Sequence, residues 1–393
     1  MAVNHGIKVT QNATAVSTPN TADVGIPFVV GPAPLSKAEK ATTPGTPVLC
    51  TSYAEAVEAL GYSDDWEKFP ICEFIYSHFK IFGRQPVIIN PVGTAAGEGS
   101  KDLTATATQV ATGFEAIELC MSMFGIIPDM LVAPGFSTES EVVTAMHAKA
   151  PVVNGMFRAK TIVDVDADSY TAAVTKKNAG SFTENDIVCW PFMKLGDKKF
   201  HMSTIIAGRT AATDAENSGI PYESPSNKEI YGDGICLKDG TEVLLSLNQA
   251  NVLNNAGIVT ALNHMGSLVA WGNYTGCYPT STDVKDYFIP IARMFDFVNN
   301  TLIKTYWKKL DKPMNRRLLD TIMDSVNIWL NGLVGQGYLL GARAEIHDDE
   351  NPLANLMAGI IKVHIYITPP SPMQELDFVL EYDASYVETA LVG

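Results

Sequence analysis

The sequence predicts a layered α/β body followed by a smaller α+β unit, with an extended arm at each end. Apolar runs at residues 26–30, 86–92, 130–133, 159–165 and 186–192 hardly alternate with polar residues, as expected of strands buried on both faces. Stretches with helical spacing lie between them, and strand–helix alternation of this kind builds a layered sheet. A chain of 393 residues that is 46% hydrophobic holds enough apolar side chains for a substantial core.

The first 22 residues are polar and rich in Thr, Asn and Ala. Apolar Ile7 and Val9 alternate there with polar Lys8 and Thr10, which suits one short strand. The segment alone buries too little to fold. Residues 1–22 are therefore expected to be an arm that adds to the sheet edge of another subunit, with a frayed terminus as the alternative. Residues 23–265 form the expected α/β domain, with helices at 53–60, 69–82 and 137–149. The last opens on Ser137, Thr138 and Glu139, an N-cap with an acidic first turn. Segments 93–101 and 217–234 read as loops, and a helix or turn at 246–253 precedes a strand at 267–272.

Residues 266–381 are expected to form the second domain. A helix over 318–333 would turn Leu319, Ile322, Val326, Trp329, Leu330 and Leu333 to the core.

Composition and motifs exclude several kinds of chemistry. With 28 basic against 43 acidic residues the net charge is −15, the wrong sign for gripping a phosphate backbone, so no nucleic-acid partner is expected. The six cysteines are far apart and form no C-x-x-C pair, which signals neither zinc nor a disulfide framework. No apolar run is long enough to span a bilayer, and the polar start lacks a basic-then-apolar leader, so no membrane insertion is expected. The loop from Gly93 to Lys101 lacks the phosphate-loop spacing. Asp164, Asp166 and Asp168 alternate like the start of a calcium loop, but Ser169 and Thr175 stand where Gly and Glu are needed, so a turn capped by Asp168 or Ser169 is expected. His347 lies beside Asp348, Asp349 and Glu350, a run that reads as a solvated turn before it reads as a metal site. No catalytic residue, cofactor or metal is assigned.

The C-terminal third carries a resemblance. Tyr287, Phe288, Ile289, Pro290, Ile291, Ala292 and Arg293 open an apolar helix. Trp329 through Gly332 lead to a Gly-rich turn at Gly335, Gly337 and Gly341. Asn351-Pro352 follows the acidic turn, and Pro369-Pro370-Ser371-Pro372 precedes Glu375, Leu376, Asp377 and Phe378. Trp271-Gly272 marks the junction between the two domains. In this order the residues resemble the contractile tail sheath proteins, with Gln374 where that family usually has a shorter residue and Asn273-Tyr274-Thr275 where it usually has Arg.

The resemblance implies an outer α/β domain, an inner sheath domain with strands at 360–367 and around Glu375, Leu376, Asp377 and Phe378, and arms that link neighbouring subunits, the second being residues 382–393 with Tyr386 and Val387. It also implies helical self-assembly around an inner tail tube protein, contact with baseplate and tail terminator proteins, and contraction that drives the tube through a cell envelope. Assembly would take place in the bacterial host cytoplasm, after which the protein is part of a virion tail or released particle. Lys304, Lys308, Lys309, Lys312, Arg316 and Arg317 form a basic cluster in an acidic chain. Lys308, Lys309, Arg316 and Arg317 are the candidates to face an acidic tube, and a solvated helix face is the plainer alternative. The competing function is an α/β enzyme binding a small ligand at the carboxyl ends of its strands. An inner tube subunit fits poorly, because such proteins are typically smaller and mostly β.

Overall fold

The computed structural model describes residues 19–84 and 86–392. In chain order its principal strands are β1 (Pro27–Gly31), β2 (Val48–Cys50), β3 (Val87–Pro91), β4 (Met130–Val132), β5 (Lys160–Asp164) and β6 (Asp186–Cys189). They continue as β7 (Phe192–Leu195), β8 (Lys198–His201), β9 (Gly234–Cys236), β10 (Glu242–Val243), β11 (Ile258–His264) and β12 (Ser267–Trp271). Eight of them form one sheet in the order β12-β11-β6-β5-β4-β1-β3-β2. The six inner strands are parallel, and β2 and β12 close the edges antiparallel.

Helices cover both faces. They are α1 (Tyr53–Leu60), α2 (Pro70–Tyr76), α3 (Ala107–Gly113), α4 (Ser140–Lys149), α5 (Tyr170–Ala179), α6 (Met202–Glu216) and α7 (Leu247–Asn254). Side chains alternate along a strand, so Val29 meets the layer holding α2 and α6 while Phe28 and Val30 meet the layer holding α3 and α4. Both sides are apolar because both are covered. This is why the sequence runs showed no alternation.

Strands β8, β7, β9 and β10 make a separate antiparallel sheet. The run at 186–192, expected as one strand, is two: Pro191 has no N–H for a ladder, and the chain turns there from β6 into β7. Strand β12, counted with the second domain on sequence grounds, is an edge of the large sheet. Helix α4 starts at Ser140 without a side-chain cap. Ser137 instead donates to Asp164 Oδ2 at 2.8 Å. Asp164 also accepts the Ser203 N–H at 2.8 Å in the first turn of α6, so this half-buried carboxylate satisfies a helix end, and desolvation pushes its pKa up. Ser169 caps α5 as expected, accepting the Ala172 N–H at 3.2 Å.

The helix expected over 69–82 ends at Tyr76 and continues as a π-helical turn, Ser77–Ile81. His78 in that turn is fully buried and stacks on Phe74, ring centroids 5.4 Å apart. Burial holds its pKa at about 3. The folded chain thus refuses, down to about pH 3, a proton that the unfolded chain accepts below about pH 6.5. Stability contributed by neutral His78 is complete above the unfolded pKa and falls by about 1.4 kcal/mol per pH unit across that window. Urea unfolding between pH 4 and 7 should show a slope shallower by about one proton in His78→Phe.

The remaining elements form the second unit: α8 (Ile289–Tyr306), α9 (Arg316–Gly335), the hairpin β13 (Gly341–Glu345) with β14 (His364–Thr368), and α10 (Ser385–Val392). Met294, Phe297, Val298, Val326, Leu330, Leu333 and Leu339 form its core, with Ala22 and Ile220 from outside. Strand β14 is shorter than the expected 360–367, and β13 was not anticipated.

Candidate functional site

Beyond β12 the chain passes Tyr274, which bridges to Phe288, while the Ile289 N–H donates to Asn273 O at 2.9 Å. Tyr274 stacks on Tyr278 at 3.9 Å, and Phe288 packs beside it. Pro290 then stands in the first turn of α8, where a missing N–H costs nothing. Most of α8 is buried; of its four buried polar residues, Thr301 accepts the Ala22 N–H, and the other three are Arg293, Asp296 and Asn300. Their spacing puts them on one side of the helix, against the amino ends of β4 and β5.

Arg293 grips Asp214 with both nitrogens, Nη1 to Oδ1 at 2.7 Å and Nη2 to Oδ2 at 2.6 Å, and Nη2 also reaches Asp129 at 2.8 Å. Asp129 in turn accepts the Ile26 N–H at 2.7 Å, so one guanidinium ties α8 to the end of α6 and to the entries of β1 and β4. Lys160 meets Asp296 at 2.9 Å. Asn300 accepts the Arg158 N–H and donates to the Arg158 carbonyl, both at 2.9 Å. Lys304 pairs with Asp23 at 2.8 Å, which fastens the chain just before β1.

Burial raises the pKa of Asp214 and of Asp296, against the pull of Arg293 and Lys160 respectively. Burial also opposes charge on Arg293, but Asp214 and Asp129 outweigh it and hold its pKa above the ordinary value. The groups of this clasp face one another, and the space beside them is about 10 Å³, room for one water. The arrangement fixes α8 against the amino ends of β1, β4 and β5.

The second feature is the hairpin. Helix α9 lies under it, and the Asn327 side chain accepts the Ala344 N–H at 2.8 Å and donates to the Ala344 carbonyl at 3.3 Å. The connection between the strands is held by Asn351, which donates to His347 O and Lys362 O and accepts the Lys362 N–H. Glu350 bonds Lys362 at 2.5 Å and His364 at 2.8 Å, contacts that hold its carboxyl at about 2. His347 lies edge-on to His364 at 4.7 Å. No group of three metal-ligating side chains occurs among the described residues.

The third feature is the segment after β14. Residues 369–383 have no regular structure, so the strand expected around 375–378 does not form within one chain. Leu376, Phe378 and Leu380 are 60%, 77% and 95% exposed. Glu375, Asp377, Glu381 and Asp383 fall on the alternate positions. This is the pattern of a half-buried strand without its sheet. Tyr274 Oη donates to Gln374 at 2.6 Å, a side-chain anchor of the segment to the body. The exposed extended stretch thus begins before residue 382. Tyr386 and Val387, expected in an extended arm, are exposed residues of helix α10. Ile7 and Val9 lie outside the described residues.

The basic cluster divides. Lys304 turns inward to Asp23. Lys308, Arg316 and Arg317 are exposed and Lys309 is half-buried, all near the α8–α9 connection. Arg316 and Arg317 lie inside the first turn of α9, whose N-cap is Asn315. Cations are disfavoured at that end of a helix dipole, so helix stability does not explain them.

Sequence reasoning missed the partners of the clasp. Asp296 and Asn300 interrupt an apolar helix at helical spacing, a signal that was there to read. Asp214 and Asp129 lie 79 and 164 residues from Arg293 and left none.

No known family profile matches the chain. It is 28% identical over 410 residues to a protein of Pseudomonas aeruginosa (strain UCBPP-PA14) named as a prophage major tail sheath protein, covering 100% of this chain and 99% of that one. It is 23% identical over 401 residues to the tail sheath protein of Escherichia phage P2, covering 95% and 94%. Its fold matches the contracted helical sheath of the anti-feeding prophage with a TM-score of 0.68 at 18% identity, covering 98% of this chain and 100% of that one. The contracted sheath of the extracellular contractile injection system PVC gives 0.70 at 14% identity, covering 98% and 99%. The chain is thus similar, end to end in sequence and over nearly its whole length in fold, to contractile tail sheath proteins.

Proposed function

We propose that the chain is the structural subunit of a contractile sheath that polymerises helically around an inner tube and contracts to drive the tube through a target envelope. The observation that carries this reading is the arm after β14, a strand-patterned segment whose apolar side is bare in the single chain. Such a segment is satisfied only by another subunit's sheet. Repeated head-to-tail, that contact generates an open helical array.

In this reading subunits move as near-rigid bodies during contraction while the arms keep neighbours joined. The Arg293 clasp makes the outer and inner units turn together. The work comes from the new surfaces that neighbouring subunits bury against one another in the compact lattice. Lys308, Lys309, Arg316 and Arg317 are proposed to face the tube, where exposed pairs worth about 0–1 kcal/mol each hold collectively and release individually. Baseplate and terminator proteins would bound the sleeve, which would assemble in the host cytoplasm before becoming part of a tail or released particle.

Negative-stain electron microscopy of the full chain, alone and co-expressed with the neighbouring tube gene product, tests the reading. Striated sleeves are expected, and deletion of residues 1–22 or 374–393 should leave only single subunits. A monomer under every condition, indifferent to both deletions, would overturn it.

A further inference from the structure

One amine of the clasp also touches a carboxamide. Lys160 and Asp296 are 2% and 7% exposed, and Lys160 Nζ stands 2.9 Å from Asp296 Oδ2. The same nitrogen donates to Asn185 Oδ1 at 3.2 Å and to the Glu184 carbonyl at 3.1 Å. Lys160 opens β5 and Asn185 immediately precedes β6. The Thr161 N–H donates to Asn185 O at 2.8 Å, so the two main chains are fixed against each other at this point. Asp296 comes from α8, in the other unit. An amine, a carboxamide and a carboxylate from three separate segments thus meet at one place.

These are the groups that a transamidation needs. Asn185 Cγ is bonded to the oxygen that Nζ already contacts, so attack requires only a small shift of side chains whose main chains are held. A lysine amine attacks only when neutral. Desolvation disfavours both charges of the Lys160–Asp296 pair, and one proton moved between them removes both. Burial raises the Asp296 pKa against the pull of Lys160, the direction that receives this proton. A cavity of about 120 Å³ is lined by all three side chains and leaves room for a molecule of the size of ammonia to depart.

We propose that Lys160 and Asn185 join in an intramolecular amide bond, with Asp296 carrying the proton. Asp296 takes one proton from the Lys160 ammonium, and Nζ forms a bond to Asn185 Cγ. A second amine proton passes to Nδ2, the Cγ–Nδ2 bond breaks, and the ammonia leaves with the proton that Asp296 held. Overall, a lysine ammonium and a carboxamide become a substituted amide and an ammonium ion, a balance that calls for no oxidant or reductant. Because Asp296 arrives with α8, the bond forms only after the second unit has docked. It then ties the start of β5 to the entry of β6, two positions 25 residues apart in the chain. The inference goes beyond the sheath reading and stands or falls without it.

Intact-mass spectrometry of the full folded chain tests the bond. The native protein should be about 17 Da lighter than its sequence requires, the mass of one ammonia, and should stay so after denaturation. Tryptic digestion should leave Lys160 uncut and give one branched peptide that joins its segment to the segment holding Asn185. Lys160→Arg, Asn185→Ala and Asp296→Asn should each keep their full calculated mass, with circular dichroism showing that the chain is folded. A native chain at full mass would overturn the proposal, and so would a mass loss traced to an Asn-Gly pair such as Asn154-Gly155 in place of the branched peptide. Cross-linking in Asp296→Asn as complete as in the native chain would overturn the role of Asp296. Where that variant does not fold, Asp296→Glu reads the same role: its mass loss after refolding should be slower by about tenfold or more, and a native rate would reject it.

Discussion

Arg293→Ala is expected to cost the folded chain about 3–5 kcal/mol, the range for removing one partner of a buried ion pair. The guanidinium is 4% exposed and Asp214 is 1% exposed, so alanine leaves a carboxylate with neither solvent nor a counter-charge. Lysine should rescue only part of the loss, because a point charge cannot reproduce two parallel bonds to Asp214 and a third to Asp129. Acid should help the alanine variant. Burial already raises the Asp214 pKa with arginine present, and removing the cation raises it further. A carboxyl raised in the folded state favours folding below its unfolded pKa, and that advantage is lost as pH rises through the folded value. Urea unfolding of the monomer near pH 7 and pH 5 should show the variant closer to the native chain at pH 5. A loss below about 1 kcal/mol at pH 7 would mean that the clasp contributes specificity more than stability.

Replacing Leu376, Phe378 and Leu380 together by serine is expected to abolish sleeves and leave the monomer as stable as before. All three side chains are mostly exposed in the single chain, so their loss removes almost no intramolecular burial. Surface changes of this kind usually move stability by no more than about 0.5 kcal/mol. In an assembled sheet each would be buried, at about 1.5–3 kcal/mol per side chain. Three such losses at every subunit interface exceed what exposed ionic pairs there can replace. Sedimentation and electron microscopy read the assembly, and thermal melting reads the monomer. Sleeves that persist with the triple substitution would place the driving contact elsewhere.

Much of the outer body was legible because its signals are local. Gly61 follows α1, Ser52 caps it, and the expected bounds 53–60 coincide with Tyr53–Leu60. Four of the five apolar runs hold one strand each and the fifth divides at Pro191, and the runs are largely apolar because a parallel sheet covered on both faces buries most of its side chains. The apolar stripe of α9 was also readable, and Val326, Leu330 and Leu333 are buried where the helical period puts them. Misreadings arose where a partner distant in sequence took over a local signal. Ser137 looked like a helix cap, but Asp164 claims its hydroxyl. Lys304 looked like part of a solvated cluster, but Asp23 turns it inward. Residues 375–378 carry a strand pattern but pair with no strand among the described residues.

The sequence by itself determined the alternating body, the helical period of the C-terminal unit and the strand pattern of its bare arm, because periodicity and capping act over a few residues. Only the tertiary structure decided that Arg293 meets Asp129 and Asp214, that Asn327 closes one edge of the hairpin, and that β12 belongs to the large sheet. Those outcomes depend on groups brought together across scores of residues, and desolvation makes each meeting obligatory once the surrounding core has formed.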